Sequence, residues 1–304
     1  MISQEKVRHA LTGPIMSLNT PFTCDGAIDY PAVRRIIDFT IAGGSKVVIL
    51  TMGDGLFTVL TDQEVAELTK FVVEHVAGRA VVMAADRMWW TGKTVEFAQY
   101  CRDVKADMLM VQPPDWAGSC TADTVVEHYA AVSKHIPLML VTAFLEKWPL
   151  PRTAELFEKL RDRVPNLLAV KDDICGELGR RLGLIGRDHW AMFTSGSKRV
   201  VLANRPYGYD GYMSTFISFK PEIAQDFWKA VVSNNEAKII KTISEVDIPL
   251  WDFMEPAVGS FDAVIHGMLE LRGLCKRWRR KPYYSLTDRE MEILAQFLKT
   301  KGWL

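Results

Sequence analysis

Residues 165–173 of this chain run Pro165-Asn166-Leu167-Leu168-Ala169-Val170-Lys171-Asp172-Asp173. Four consecutive apolar residues lead into a single lysine, and no polar residue alternates with them. A short run of this kind is typical of a strand that is buried on both faces, as in a parallel sheet. Lys171 then stands at the carboxyl end of a parallel strand, where α/β proteins place their ligands.

Lys171 allows two interpretations at this position. Partial desolvation disfavours the ammonium form of a lysine, and the neutral amine can attack a carbonyl carbon to form a Schiff base. Alternatively, this is an ordinary lysine whose stem packs at the strand end while its head reaches water. These nine residues leave both interpretations open.

The composition is that of an ordinary soluble α/β protein. The chain has 304 residues, of which 48% are hydrophobic and 24% charged, and its formal net charge is zero. Nothing in this balance favours a nucleic-acid or anionic-membrane partner. We find no signal peptide, no membrane-spanning run and no His or Cys pair with metal-ligand spacing. We therefore expect a cytoplasmic protein without a metal site, in which the five scattered cysteines are free thiols.

Eight short apolar runs alternate with amphipathic stretches, which favours a (β/α)8 barrel. A doubly wound sheet is the alternative, but no G-x-G-x-x-G motif follows the first run. We assign residues 1–218 to the barrel, and residues 219–304 to the last barrel helix and a C-terminal helical extension within one structural unit. The predicted strands are 15–19, 46–50, 80–84, 107–111, 137–141, 167–171, 191–194 and 211–214. The predicted helices between them include 30–41, 62–76, 93–104, 122–134 and 152–163.

Two helix starts carry recognisable capping residues. Asp29 precedes the helix that begins near Tyr30, and a short side-chain acceptor at that place satisfies a free backbone N–H. Thr61 with Glu64 three residues later predicts a capping box at the start of the next helix. These caps fix where two of the barrel helices begin.

Several short motifs occur in an order that resembles a known family. They are Thr20-Pro21-Phe22 with Asp25-Gly26 and Asp29, Gly55 with Phe57 and Leu60-Thr61, Pro113-Pro114, Val170-Lys171-Asp172, Ser195-Gly196-Ser197, and Gly208 with Asp210-Gly211-Tyr212-Met213-Ser214. In this order the chain is similar to the dihydrodipicolinate synthase and N-acetylneuraminate lyase superfamily, the Schiff-base aldolases and dehydratases of 2-oxo acids. The resemblance implies a (β/α)8 barrel, a C-terminal helical region, usually a tetramer built from dimers, and Lys171 as the Schiff-base residue.

Two departures from the family pattern concern groups that handle the substrate. Two threonines of the family bind the carboxylate of the 2-oxo acid, and Gly53-Asp54 stand in their place here. Gly53 still offers a backbone N–H, but an ionised Asp54 repels a carboxylate. A tyrosine of the family shuttles protons, and Val141 occupies its position. The chain thus resembles a divergent member that lacks the usual tyrosine and threonine pair.

The candidate site residues lie at predicted strand ends. Lys171 is the predicted Schiff-base residue, and Asp54, Thr142 and a bound water, in that order, are the candidates for the missing proton shuttle. Arg87 could replace the threonines if it faces the pocket, because its planar fork suits carboxylates. The predicted substrate-binding residues are Gly53, Gly55, Arg87, Val141, Gly196 and Met213.

Two further surface features have competing explanations. Trp89, Trp90, Trp116 and Trp148 indicate either an apolar or aromatic tail on the substrate or subunit contacts, where tryptophan is enriched. The basic run 276–281 could bind nucleic acid, but a solvated or interface loop fits a neutral chain better.

The predicted function is a class I aldolase, synthase or dehydratase that acts on pyruvate or a longer 2-oxo acid. No cofactor is expected, because Lys171 would carry the covalent imine itself. Aldol cleavage, aldol addition and dehydration all fit these residues. The alternative is a catalytically degenerate barrel that serves as a binding or regulatory subunit. In either case we expect a homotetramer or homodimer, with a small-molecule 2-oxo acid as ligand and neither nucleic acid nor membrane as partner.

Overall fold

The computed structural model describes residues 2–304, in which eight parallel strands close into one barrel. Each strand pairs with the next in sequence, and the eighth pairs back to the first. All eight predicted strands form, with ends that differ by no more than two residues from the predicted ones, so the (β/α)8 barrel is confirmed. The strands are β1 Gly13–Ser17, β2 Val47–Ile49, β3 Val81–Ala85, β4 Met108–Val111, β5 Leu138–Val141, β6 Leu167–Asp172, β7 Ala191–Thr194 and β8 Gly211–Met213.

Helices surround the barrel and continue beyond it. One helix precedes β1, the next eight follow the eight strands in turn, and four more form the C-terminal helical extension, which is thereby confirmed. The helices are α1 Gln4–Ala10, α2 Tyr30–Ala42, α3 Asp62–Val76, α4 Thr91–Asp103, α5 Ala122–Val132, α6 Leu150–Arg163, α7 Gly176–Gly186, α8 Lys198–Asn204, α9 Pro221–Val232, α10 Glu236–Thr242, α11 Ile248–Met254, α12 Ser260–Leu271 and α13 Asp288–Thr300. A π-helical turn, Ile243–Asp247, joins α10 to α11. Within residues 2–304, no helix is both long and apolar enough to cross a membrane. The domain boundary at residues 218 and 219 stays a prediction.

The strands are buried because both of their faces are covered. Every residue of β2, β3, β4, β5, β7 and β8 is buried, as the unbroken apolar runs of the sequence predict. One continuous apolar core runs from Val7 in α1 to Trp303 after α13. The extension joins this core directly: the Trp303 indole meets the Phe216 ring edge-on, with 5.2 Å between the centroids. The helices beyond the barrel are therefore packed against it.

Both predicted helix caps are confirmed. The Asp29 side chain accepts a hydrogen bond from the backbone N–H of Ala32 at 3.0 Å. Thr61 and Glu64 form a complete capping box at the start of α3. Local side-chain chemistry thus sets the start of these helices, as the sequence indicates.

Three arginines of the basic run 276–281 form ion pairs with acids of the same chain, while Lys276 and Lys281 are exposed. The expected interface role of the run stays a prediction. Arg280 binds Glu64 of α3 through two hydrogen bonds of 2.7 and 2.8 Å, and this pairing lowers the pKa of Glu64 to about 2. Arg279 pairs with Asp262 of α12. The run is held in place because its guanidinium groups find carboxylates within the same chain. It fastens the C-terminal extension to the barrel.

Asp86 is a buried acid just after β3. Its carboxyl oxygens accept only long hydrogen bonds, from Thr94 and from the backbone N–H of Gln112 at 3.3 Å and of Met88 at 3.4 Å. Burial raises the pKa of Asp86 from the ordinary value of 3.8 to about 7. Since the unfolded chain releases this proton at lower pH than the folded one, the stabilisation present in acid is lost as the pH rises toward 7.

We predict that Asp86→Asn gains stability over the wild type as the pH rises. The neutral amide has no charge to bury, whereas the wild type loses at most about 1.4 kcal/mol per pH unit between the two pKa values. Urea unfolding at pH 5, 6, 7 and 8 measures the difference, with Asp188→Asn as a control at an exposed acid. If the difference in unfolding free energy between Asp86→Asn and the wild type stays constant from pH 5 to pH 8, the raised pKa of Asp86 is contradicted.

Candidate active site

A cavity of about 280 Å³ opens at the carboxyl ends of β1, β6, β7 and β8. The functional loops of a (β/α)8 barrel gather at this end. Ligand pockets usually begin at about 300 Å³, so a cavity of this size suits a small molecule. Of the residues predicted from the sequence, Lys171, Asp54, Gly196 and Met213 line it.

Lys171 is the penultimate residue of β6, and its side chain lines the cavity. It pairs in register with Val141 of β5 and Phe193 of β7, and its side chain is only 13% exposed. Its Nζ atom contacts both carboxylate oxygens of Asp173, which also lines the cavity. The structure therefore presents a largely buried lysine amine with a carboxylate beside it.

Asp172, between these two residues, points the other way. Its fully buried carboxylate accepts hydrogen bonds from the Thr142 hydroxyl at 3.0 Å, from the backbone N–H of Ile174 and Cys175, and from the Tyr209 hydroxyl at 2.7 Å. Successive side chains of a strand face opposite sides. With Asp172 fixed toward α7, its two neighbours face the cavity.

Thr142 lies beside the site but does not line the cavity. Its hydroxyl donates to Asp172 and accepts from the backbone N–H of Asp173 at 2.9 Å. These bonds engage its proton and direct the oxygen at the loop after β6. The structure thus places Thr142 where it positions the segment that carries Lys171, while the catalytic role predicted for it stays untested.

Asp54 shares the cavity with Lys171, on the loop after β2. The negative charge of Asp54 also acts on Asp262 of α12. Burial is the main cause that raises the pKa of Asp262 to about 6; the charge of Asp54 adds to this rise, and Arg279 opposes it. The carboxylate of Asp54 therefore lies between the barrel and the extension.

Gly53 and Gly55 shape this loop from outside the cavity lining. The backbone N–H of Gly55 donates to the carbonyl oxygen of Thr51 at 3.1 Å, and a Cβ atom on Gly55 would lie 2.2 Å from that oxygen. Gly53 has open space around its missing Cβ. Only Gly55 is therefore required by close approach of the backbone.

Arg87 and Val141 do not line the cavity. Arg87 donates to Asp62 of α3 at 2.6 Å, so its guanidinium charge is paired outside the site. Asp86, the preceding residue, is buried against Thr94 of α4 and does not line the cavity either. Val141 is buried beside Lys171 in the strand pairing, and no tyrosine is among the described residues that line the cavity.

The sequence interpretation missed seven polar residues of the lining, which are Ser17, Asn19, Asp173, Ser195, Ser214, Thr215 and Ser218. In the described part of the chain, two of them have unpartnered polar atoms. Asn19 follows β1 and Ser214 follows β8, and both are buried. Within residues 2–304, Asn19 Nδ2 and Ser214 Oγ have no hydrogen-bond partner. Buried polar atoms normally have one, and a ligand in the cavity would supply it. In the sequence, Asn19 and Ser214 stand within two residues of the end of a strand, and that position is the signal that could have found them.

The aromatic wall of the cavity comes from the C-terminal extension. Trp251 of α11 and Phe261 of α12 line it together with Ile265. The four tryptophans singled out in the sequence do not. They lie elsewhere: Trp89 packs on Phe97, Trp90 is 67% and Trp116 85% exposed, and Trp148 donates to Asp115. Trp251 and Phe261 belong to helices outside the barrel, so no strand end in the sequence marks them as lining residues.

Comparison with known proteins agrees with this geometry. A family model described as the dihydrodipicolinate synthetase family matches residues 10–301. A probable 5-dehydro-4-deoxyglucarate dehydratase of Pseudomonas fluorescens is 24% identical over 307 residues, 99% of each chain. A 4-hydroxy-tetrahydrodipicolinate synthase of Methylibium petroleiphilum is 26% identical and covers 97% of this chain and 99% of its own. The crystal structure of dihydrodipicolinate synthase from Oceanobacillus iheyensis shares the fold, with a TM-score of 0.84, 20% identity and 99% coverage of both chains.

We predict that Asp172→Ala destabilises the protein strongly and that Asp172→Asn does so mildly. Alanine removes the shared acceptor of four donors. The Thr142 hydroxyl and the backbone N–H of Cys175 lose their partner, at about 1–3 kcal/mol each before relaxation. Tyr209 keeps the carbonyl oxygen of Gly179, and the backbone N–H of Ile174 keeps the Thr142 hydroxyl. The amide keeps one oxygen for Thr142, Ile174 and Cys175. Its NH₂ can donate to Tyr209, whose own proton turns to the carbonyl oxygen of Gly179 at 2.9 Å.

Denaturant unfolding of the two variants tests this arrangement. A loss of at least about 3 kcal/mol for the alanine variant and about 1 kcal/mol or less for the asparagine variant is expected. Equal losses would mean that the negative charge, and not the set of hydrogen bonds, holds the segment.

Proposed function

Because this chain belongs to the dihydrodipicolinate synthetase family, we propose that it is a lyase that forms a Schiff base with pyruvate or a longer 2-oxo acid through Lys171. One observation carries the proposal: the Lys171 amine is largely buried in the cavity and contacts the Asp173 carboxylate. An amine nucleophile needs a neighbouring base, and this pair supplies both. The lysine carries the intermediate, so the proposed reaction uses no cofactor.

The first step is imine formation. Asp173 accepts a proton from the Lys171 ammonium, and the freed electron pair of Nζ attacks C2 of the 2-oxo acid. The C2 oxygen takes up protons and leaves as water, which gives the imine. Asp173 is within reach for both proton transfers, as a general acid and base must be.

The imine then withdraws electrons from the neighbouring carbons. A C–C bond breaks or forms, or a β-hydroxyl leaves as water, and the electron pair passes through an enamine in each case. Asp54 is the second carboxylate in the cavity and the better-placed of the candidates named from the sequence. Asp54 and Asp173 together take over the proton transfers for which the family uses a tyrosine.

We further propose that Asn19 and Ser214 bind the carboxylate of the 2-oxo acid. Both are buried in the cavity lining with an unpartnered polar atom. An amide N–H and a hydroxyl are neutral donors that suit a carboxylate. They would replace the missing threonines from β1 and β8, next to β2 in the barrel, since Arg87 is bound to Asp62.

The assembly and location also remain proposals. The family resemblance implies a homotetramer or homodimer, and the exposed indoles of Trp90 and Trp116 fit a subunit interface. A cytoplasmic location fits a family of soluble enzymes with small-molecule substrates.

We predict that borohydride reduction in the presence of pyruvate traps an adduct on Lys171. Intact mass and peptide mapping identify it, and Lys171→Arg, which keeps the charge beside Asp173, should give none. Asp173→Asn should slow trapping by about a hundredfold, the typical contribution of a general base. No adduct on folded wild-type protein with any 2-oxo acid would favour the degenerate barrel.

We predict that Asn19→Ala raises the pyruvate concentration needed for half-maximal trapping by about tenfold, because a hydrogen bond to a charged group is lost. Asn19→Asp has nearly the same shape but opposes the substrate carboxylate, so its effect should be larger. The trapping rate at saturating pyruvate separates binding from chemistry. Similar half-saturation in all three proteins would remove Asn19 from the binding site.

A further inference from the structure

The cavity has two chemically different ends. The barrel supplies the reacting end, with Lys171, Asp173, Asn19 and Ser214. The far wall comes from α11 and α12 and consists of Trp251, Phe261 and Ile265. The Trp251 and Phe261 rings lie 6.2 Å apart between centroids, inclined by 51°. A substrate bound to Lys171 would extend toward this apolar surface.

The wall is fixed relative to the reacting end. Gly196, in the loop after β7, lies against Trp251: a Cβ atom there would be 3.7 Å from the indole ring. Asp247, at the end of the π-helical turn, is buried and accepts hydrogen bonds from the Ser197 hydroxyl at 3.2 Å and the backbone N–H of Lys198 at 3.1 Å. The extension is therefore tied to the same loop that borders the lysine.

The charges in the cavity exclude a second anion on the substrate. Among the described lining residues Lys171 is the one cation, and Asp54 and Asp173 are two carboxylates. In the proposed reaction the Lys171 nitrogen bonds to C2 of the substrate, so it is held at the reacting end and cannot pair with a carboxylate at the other end. Cations outside the lining serve other acids: Arg87 binds Asp62 and Arg279 binds Asp262. Lys198 and Arg199, which follow the loop after β7, both pair with Asp247. A distal carboxylate would face Asp54 without a cation to receive it.

We infer that the substrate is a 2-oxo monocarboxylate with an uncharged, apolar or aromatic tail. The inference rests on the proposed function and narrows it. A glucarate derivative, which carries a carboxylate at each end, does not suit such a site, although one relative is named after such a substrate. Trp251 and Phe261 also replace the four tryptophans of the sequence interpretation as the tail-binding surface.

The test is borohydride trapping of the full-length protein with three acids: pyruvate, 2-oxo-4-phenylbutanoate and 2-oxoglutarate. The concentration for half-maximal trapping should fall about tenfold from pyruvate to the phenyl acid, because its ring covers apolar wall surface. It should rise about tenfold or more for 2-oxoglutarate, because a carboxylate meets unpaired acids in a desolvated site.

Two variants test whether Trp251 and Phe261 determine the preference among the three acids. Trp251→Ala should reduce the preference for the phenyl acid over pyruvate about fivefold or more, since much of the apolar contact is lost. Phe261→Lys places a cation at a position that is already 39% exposed, and it should improve half-saturation by 2-oxoglutarate about fivefold. Val232→Ala, at an exposed apolar side chain of α9 away from the cavity, should match the wild type.

The outcomes distinguish the inference from the function on which it rests. Adducts on Lys171 with 2-oxoglutarate preferred, or with no preference among the three acids, would overturn the apolar-tail assignment and leave the Schiff-base function intact. A preference for the phenyl acid that survives Trp251→Ala would also overturn it. If no acid forms an adduct, both fail together.

Discussion

The buried carboxylate of Asp172 is the constraint on which the site depends. It gathers a hydroxyl from the end of β5, two backbone N–H groups from the loop after β6 and the hydroxyl of Tyr209 before β8. Because side chains alternate along a strand, this anchor fixes the direction of both neighbours. Lys171 and Asp173 face the cavity together as a result. The side chains of Lys171 and Asp173 are therefore positioned by the residue between them, whose own side chain points away from the cavity.

By resemblance, Val141 stands where the family has a tyrosine, and Gly53-Asp54 stand where it has two threonines. Val141 is buried beside Lys171 in the strand pairing. The carboxylate of Asp173, two residues after the lysine, contacts the lysine amine. Two unpartnered polar atoms lie across the cavity, on the β8 and β1 side. Under the proposed function, proton transfer and anion binding would fall to residues on other strands of the same barrel fold.

The sequence predicted the barrel, the eight strands, the capped helices and the place of Lys171, because apolar periodicity and caps act locally. It did not predict which strand-end residues face the cavity. Thr142 and Arg87 stand at the correct end of the barrel, yet their polar groups bind Asp172 and Asp62. Side-chain direction in a loop depends on partners that are distant in sequence. Trp251 could not be found from strand ends at all, since it belongs to a helix outside the barrel.

The π-helical turn Ile243–Asp247 has a consequence for the phase of α11. A π turn holds about one residue more than an α turn, and each residue of an α-helix advances by about 100° and 1.5 Å. The side of α11 that meets Gly196 is therefore set by this surplus residue. A shortened, regular helix would rotate the indole of Trp251 out of the cavity wall and bring a neighbouring side chain into its place. The number of residues in this turn therefore decides which side chain of α11 lines the cavity.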